Sequence, residues 1–545
     1  MLQITRSQQF KPTLLLAGGI LLVLESLYLS QSFDAATLTL DGEVTGWRVL
    51  FSHFGSLAKL GLVILFAIGL LLQHKFKRYW PELLDVISVQ RFLTLLPIQL
   101  LCYASLYYCT HLIYAVPENA HNLPAWLYGL WLLSLSVTLA SWLVMLVDPR
   151  WLVDFIKHEQ LAIAVGVIAG LIVWSVAMWT QRFWGPLSEA TFFLVAALLH
   201  AVYGEHMAVN AVDKTIGIDD FWINIAPACS GYEGIGLITA FTAIYIWIHR
   251  DALRFPRVLL LFPIGVVAIW LLNVVRIAVL VSIGHHWSEE VAIGGFHSQA
   301  GWITFILTSL ALLWLTGDSA YFSKAARNKT PAAPPLYSSL PIATLLPMVV
   351  LLAVTLLSSA FTADFDWLYP LRVFAVIIAV AYIWPQSRQM SLRLHWSALA
   401  GGAVTAVLWI AMLGSDTETS AVIQDNLQAA PSWAAGLWLL FRIAGAVITV
   451  PIAEELAFRG YLLCRFSKTE VRLDGPLPFS VLAIFFSSLA FGALHGAWLA
   501  GTVAGLIYAL VRWRSQSMAN AIYAHGITNA LIFSYAAATG EWHLL

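Results

Sequence analysis

The chain has 545 residues, 60% of them hydrophobic and 11% charged, with a mean hydropathy of +0.79 and a formal net charge of −1. Soluble domains carry about 25% charged residues, so a water-solvated globule is excluded and lipid is the main solvent. The near-zero charge argues against nucleic acid as a partner, and four cysteines (Cys102, Cys109, Cys229, Cys464) are too few for a disulfide framework.

About 20 apolar residues of helix cross a hydrocarbon core of ~30 Å. In chain order, such runs lie at 12–31, 57–73, 91–115, 124–147, 160–180, 232–248, 257–283 and 300–317. A second set lies at 341–361, 370–386, 396–414, 440–465, 478–496, 497–511 and 517–538. The expectation is an all-α polytopic transmembrane protein of roughly fifteen spans. Long runs without alternation exclude a β-barrel, and closed helices then satisfy the backbone in lipid. The run 12–31 follows Arg6 and Lys11 but lacks a small-residue cleavage site, so it reads as the first span. Cys102 and Cys109, seven apart on one helix face, read as small packing residues.

Basic clusters at Lys75/Lys77/Arg78, Arg150/Lys157, Arg250/Arg254/Arg257 and Lys324/Arg327/Lys329 mark the cytoplasmic loops. The short apolar piece 188–203 would break this alternation as a full span, and is expected to be half-inserted or to lie at the outer surface. The basic, Pro/Ala-rich stretch 323–339 reads as a cytoplasmic linker. It divides the chain into anchor spans (1–90), a first catalytic membrane domain (91–322) and a second (340–545).

In the first domain, residues 213–228 are polar and β-branched and read as an extended lead into Cys229. Arg276 follows Arg257 by 19 residues, roughly 28 Å of helix, which carries it to the opposite face. His297 sits in the next outer loop, so Cys229, Arg276 and His297 converge. A cysteine attacks as thiolate, which an adjacent cation favours. His297 is placed to take the thiol proton and return it to the leaving amine, and Arg276 to stabilise an oxyanion or orient a carbonyl. Singly, each has a bland reading: an inert cysteine, a snorkelling arginine, a polar loop histidine. Together they point to acyl transfer.

The segments PACSGYEG, NVVRIAVL and GFHSQAGW around these residues resemble the motifs of the exosortase/archaeosortase family over roughly residues 90–320. Those are multi-spanning cysteine transpeptidases of the cell envelope. The resemblance implies Cys229 as nucleophile, Arg276 as essential arginine and His297 as base. It also implies, as partners, membrane-anchored proteins bearing a C-terminal sorting tail, cut at the outer face.

In the second domain, Glu454 and Glu455 stand inside an apolar run, 12 residues past Arg442 and 14 before Lys468 for Glu454. Carboxylates at that depth cost several kcal/mol and are functional suspects by default. One suits the role of general base for water, with Arg459 a helical turn away to balance charge. His495 closes a later span and is hard to place in depth. His525 and Asn529 share a helix face at i, i+4, at a depth comparable to Glu454. The bland alternatives are packing, inter-helix hydrogen bonds and a structural ion pair.

These residues resemble the EExxxR, FxxxH and HxxxN motifs of the CAAX protease and bacteriocin-processing family. Here they are Glu454-Glu455 to Arg459, Phe491 to His495, and His525 to Asn529, over roughly 340–540. The resemblance implies a glutamate-activated water, with the histidines and Asn529 holding the oxyanion. No cofactor is expected; a metal at this site is an open possibility, but no HExxH is present. Both resemblances in one chain are similar to exosortases of the E type fused to a protease, found with proteins bearing VPEID-type C-terminal signals. They imply a bacterial inner membrane with the first site facing the periplasm. The competing readings are a polytopic transporter, although no repeated halves are visible, and a chain in which one half binds sorting tails without cutting them.

Overall fold

The computed structural model describes residues 6–33, 51, 54–115, 123–180, 184–225, 231–324, 339–363, 365–388 and 390–544. The expected linker 323–339 lies outside the described residues from 325 to 338, and Cys229 also lies outside them. The chain is helical nearly throughout and forms two compact units, Met1–Arg182 and Phe183–Leu545. Among the described residues, ten helices are long and apolar enough to cross a membrane, or eleven counting one bent pair. The count falls below the roughly fifteen apolar runs because helices such as Tyr232–Ile248, Tyr369–Tyr382 and Val481–Gly492 are apolar but short. The chain is a multi-pass, all-α membrane protein.

The first unit comprises α1 (Arg6–Ser32), α2 (Phe54–Leu72), α3 (Phe76–Val86), α4 (Val89–Tyr114), α5 (Ala125–Leu146), α6 (Pro149–His158) and α7 (Gln160–Thr180). Helix α7 meets α2 through Gly166 and Gly170, where a Cβ would stand 3.1 Å from the Ile68 Cα and 3.0 Å from the Ile64 Cα. Small residues four apart let two backbones approach where lipid gives no hydrophobic drive. Helices α4 and α5 close over Leu106, Cys109, Ile113 and Tyr128, and Trp131 Nε1 donates to Thr110 Oγ1 at 2.9 Å. Cys109 is buried there and Cys102 is half-buried. Buried Glu25 accepts from Gln99 at 3.0 Å.

The second unit opens with α8 (Trp184–Tyr203), then strands β1 (Met207–Asn210), β2 (Thr215–Ile218) and β3 (Phe221–Asn224) in an antiparallel sheet of order β1-β2-β3. The expected extended lead therefore exists, folded back on itself as β2 and β3 (Ile216 opposite Ile223). It continues with α9 (Tyr232–Ile248), α10 (Leu261–His286) and α11 (His297–Asp318). The shortness expected of one apolar piece is corrected here. The piece 188–203 belongs to α8, inside a 22-residue stretch long and apolar enough to span. Its Phe192, Val195 and Leu199 pack along α10 at Val274, Ile277 and Val281, and Trp270 of α10 donates to Thr191 at 2.9 Å. Burial against α10 holds it as a full-length helix. A side count by basic loops ignores such packing.

Next come α12 (Leu340–Ala360), α13 (Tyr369–Tyr382), α14 (Trp396–Leu413), α15 (Thr417–Ala429) and the long α16 (Ser432–Phe466). Helix α16 is interrupted by two π-turns, Gly445–Thr449 and Leu456–Leu462. Helices α17 (Val481–Gly492), α18 (Trp498–Ser515) and α19 (Met518–Thr539) complete the unit. The turn before α11 packs on the end of α12, with Trp287 stacked on Phe361 at 6.0 Å. Helix α14 approaches α19 closely. A Cβ at Gly402 would meet the Ala524 carbonyl at 2.7 Å and Ile527 Cβ at 2.8 Å. Gly402→Leu is therefore expected to cost about 1–3 kcal/mol by overpacking, read as a lowered thermal midpoint in detergent. Gly436→Ala, which meets nothing within 4 Å, serves as the control. A wild-type midpoint for Gly402→Leu contradicts the packing.

Candidate active sites

Helix α10 brings Arg276 to the start of α11. Its Nη2 donates to the His297 carbonyl at 2.5 Å, and Nη1 to Asn273 Oδ1, one turn earlier on α10, at 3.3 Å. Gly301, one turn into α11, leaves room for the guanidinium: a Cβ there would stand 3.7 Å from Nη1. His297 is exposed and follows the π-turn Val291–Phe296. Asn273 is buried and was not singled out from sequence, although it opens the NVVRIAVL segment. On its other side stands Gly231 with φ +83°, a left-handed conformation that favours glycine. A Cβ at Gly231 would lie 3.0 Å from Asn273 Nδ2. Two of the three expected residues are thus joined by a hydrogen bond. The chain re-enters the described region two residues after Cys229, against the asparagine that holds the arginine.

The second constellation is built on α16, α17, α18 and α19. Glu455 is fully buried, ion-paired to Arg459 at 3.1 Å across one turn, and bonded to His525 Nδ1 at 3.1 Å. Arg459 is itself fully buried; it donates to the Gly505 carbonyl at 3.0 Å, and its guanidinium lies 4.2 Å over the Phe491 ring. A carboxylate and a backbone carbonyl only accept. His525 therefore carries its proton on Nδ1 toward Glu455, and His495 likewise donates from Nδ1 to the Phe491 carbonyl at 2.9 Å. In each neutral ring Nε2 is left as the acceptor.

Glu454 is treated differently. The buried Oε2 of each glutamate has no hydrogen-bond partner among the described residues, but Glu455 is held through Oε1, whereas Glu454 has neither an ion pair nor a hydrogen bond among them. It faces a cavity of about 180 Å³ that His495, His525, Asn529 and Phe491 also line. Asn529 commits one N–H to the Ala446 carbonyl in the first π-turn, at 2.6 Å. His495, hard to place from sequence, reaches this cavity because α17 has only 12 residues, about 18 Å of helix, and turns back before crossing. Sequence reasoning missed Tyr508, stacked on His525 at 4.8 Å, and Trp409, edge-on to His495 at 6.0 Å. Within apolar runs, neither has a spacing that marks it. Among the described residues no group of three or more His, Cys, Asp or Glu side chains is arranged to hold a metal ion.

Two family models match. Residues 47–314 match the transmembrane exosortase model, and residues 436–531 match the type II CAAX prenyl endopeptidase Rce1-like model. No curated protein and no solved structure matches the chain. The matched families indicate peptidase or transpeptidase activity in a membrane protease and sorting-enzyme role.

Removing one partner of a buried ion pair strands the other charge, at a cost of about 3–5 kcal/mol. Arg459→Met is accordingly expected to lower the thermal midpoint sharply. Adding Glu455→Leu to it should restore most of the loss. A single variant as stable as wild type means that Glu455 does not depend on this pair.

Proposed function

We propose that this chain, an exosortase region joined to a Rce1-like CAAX-endopeptidase region in one multi-pass membrane protein, cuts peptide bonds at two chemically different centres. The first centre cleaves C-terminal sorting signals of exported, membrane-anchored proteins at the periplasmic face of a bacterial inner membrane. His297 takes the Cys229 thiol proton, the thiolate adds to the scissile carbonyl, and the C–N bond breaks as His297 protonates the leaving amine. The thioester then passes to an amine or to water. Arg276, tied to the carbonyl of His297, is the cation that favours the thiolate and the oxyanion. Residues 1–90 serve as anchor spans, 91–322 as the sorting domain, 323–339 as a cytoplasmic linker and 340–545 as the second protease.

The second centre is a glutamate-dependent endopeptidase, and one observation carries this reading. Of two adjacent buried carboxylates, Glu455 is engaged through Oε1 by Arg459 and His525, while Glu454 faces the cavity with neither an ion pair nor a hydrogen bond among the described residues. Glu454 removes a proton from water, and the resulting hydroxide adds to the scissile carbonyl. On collapse Glu454 returns the proton to the leaving amine. His495 and His525, donating from Nε2 once protonated, and Asn529, through its second N–H, stabilise the oxyanion, and Glu455 with Arg459 positions His525.

The test is co-expression with a candidate client bearing a C-terminal tail, comparing wild type, Cys229→Ala and Glu454→Gln by client mass. Cys229→Ala is expected to leave the tail uncut, with the loss exceeding 10³-fold. The Glu454→Gln sample reports whether the second centre shares that client. Equal processing by all three refutes the assignment for that client.

A further inference from the structure

The cavity that holds Glu454 is also lined by Val450, Ala446 and Arg442, each four residues from the last along α16, so that row of residues ends on a cation. Arg442 stands there beside Tyr369. Its guanidinium lies 4.5 Å from the centre of the Tyr369 ring, and among the described residues it has no carboxylate partner. The contrast with its neighbour is direct. Arg372, on the same ring at 5.5 Å, is neutralised by Asp366 at 2.8 Å and held by Ser358 and Ser359 at 3.0 and 3.2 Å. Buried Arg459 is likewise matched by Glu455. A guanidinium lining a cavity without a counter-charge is a site for a ligand carboxylate, which supplies that charge in a forked, charge-assisted geometry. Trp409, edge-on to His495, also lines the cavity, its buried indole N–H without a partner among the described residues. It is a donor placed for a peptide carbonyl.

We propose that Arg442 is the specificity residue of the second centre and reads a carboxylate on the substrate, on the leaving-group side of the scissile bond. The proposal rests on the glutamate-protease reading of that centre. Arg442 and Glu454 are 12 residues apart on α16, about 18 Å of helix. An extended peptide advances ~3.3 Å per residue, so the carboxylate lies about five residues from the bond cut. It belongs either to a chain terminus or to an acidic side chain, chemically one group to the guanidinium.

The probe is a pooled library of apolar peptides, each present as free acid, as C-terminal amide, and as amide with aspartate placed in the last five positions. Cleavage by the full-length protein in detergent, carrying Cys229→Ala throughout so that only the second centre acts (wild type below meaning intact Arg442 and Glu454), is read by mass spectrometry. Wild type is expected to prefer carboxylate-bearing peptides by about tenfold or more, through KM, as a charged hydrogen bond would give. A preference for the free acids alone assigns the group to a chain terminus; an equal preference for the aspartate amides assigns it to either source. Arg442→Gln should bring the ratio near one, and Arg442→Lys should keep most of it. A wild-type ratio of one, or an Arg442→Gln ratio like wild type, overturns the proposal while leaving the protease reading intact. Cleavage that survives Glu454→Gln, or no cleavage of any peptide by wild type, removes that reading and the proposal with it. Should Arg442→Gln fail to fold, competition in wild type by short acid and amide products decides the same question.

Discussion

A guanidinium and a carboxylate, Arg459 and Glu455, are both fully buried within the span Ser432–Phe466. Charges taken out of water are tolerated when paired and hydrogen-bonded, and the surrounding helices supply partners for part of each group, Glu455 Oε2 and Arg459 Nε having no hydrogen bond among the described residues. Gly505 brings the backbone of α18 close enough for its carbonyl to accept from Arg459. Phe491 of α17 offers its ring face to the same guanidinium, a further electrostatic contact. His525 of α19 binds the carboxylate from the opposite side. Four helices are therefore fixed about one ion pair, and that pair leaves Glu454 to the cavity.

At the first centre the arginine is held by neutral groups: Arg276 donates to the backbone carbonyl of His297 and to the amide oxygen of Asn273. In the proposed chemistry the two arginines have different tasks, Arg459 positioning a histidine through Glu455 and Arg276 favouring negative charge on a reacting atom.

Much of this was legible in the sequence because membrane helices declare themselves by composition. The run 232–248 is the whole of α9, and the runs 341–361 and 396–414 fall on α12 and α14 within a residue at each end. Ionisable residues in such runs are few, so Glu454, Glu455, Arg459 and His525 stood out individually. What stayed hidden depends on packing between distant segments. The length of α8 is set by its contact with α10, and β1 has no strand pattern of its own apart from its pairing with β2. The depth of His495 follows from a helix of 12 residues that turns back. Asn273, Tyr508 and Trp409 gain meaning only from the side chains they touch.

The central claim is that the two centres differ in kind, one passing through a thioester and the other adding water directly. Cleavage in ¹⁸O-labelled water containing hydroxylamine separates them, since hydroxylamine intercepts a thioester but not a hydroxide addition. Run with Glu454→Gln and with Cys229→Ala, and read by product mass, the account predicts a hydroxamate only where Cys229 is present. The product formed without Cys229 should carry ¹⁸O in its new carboxylate. A hydroxamate from Cys229→Ala, or label incorporation that persists when both residues are replaced, contradicts the account.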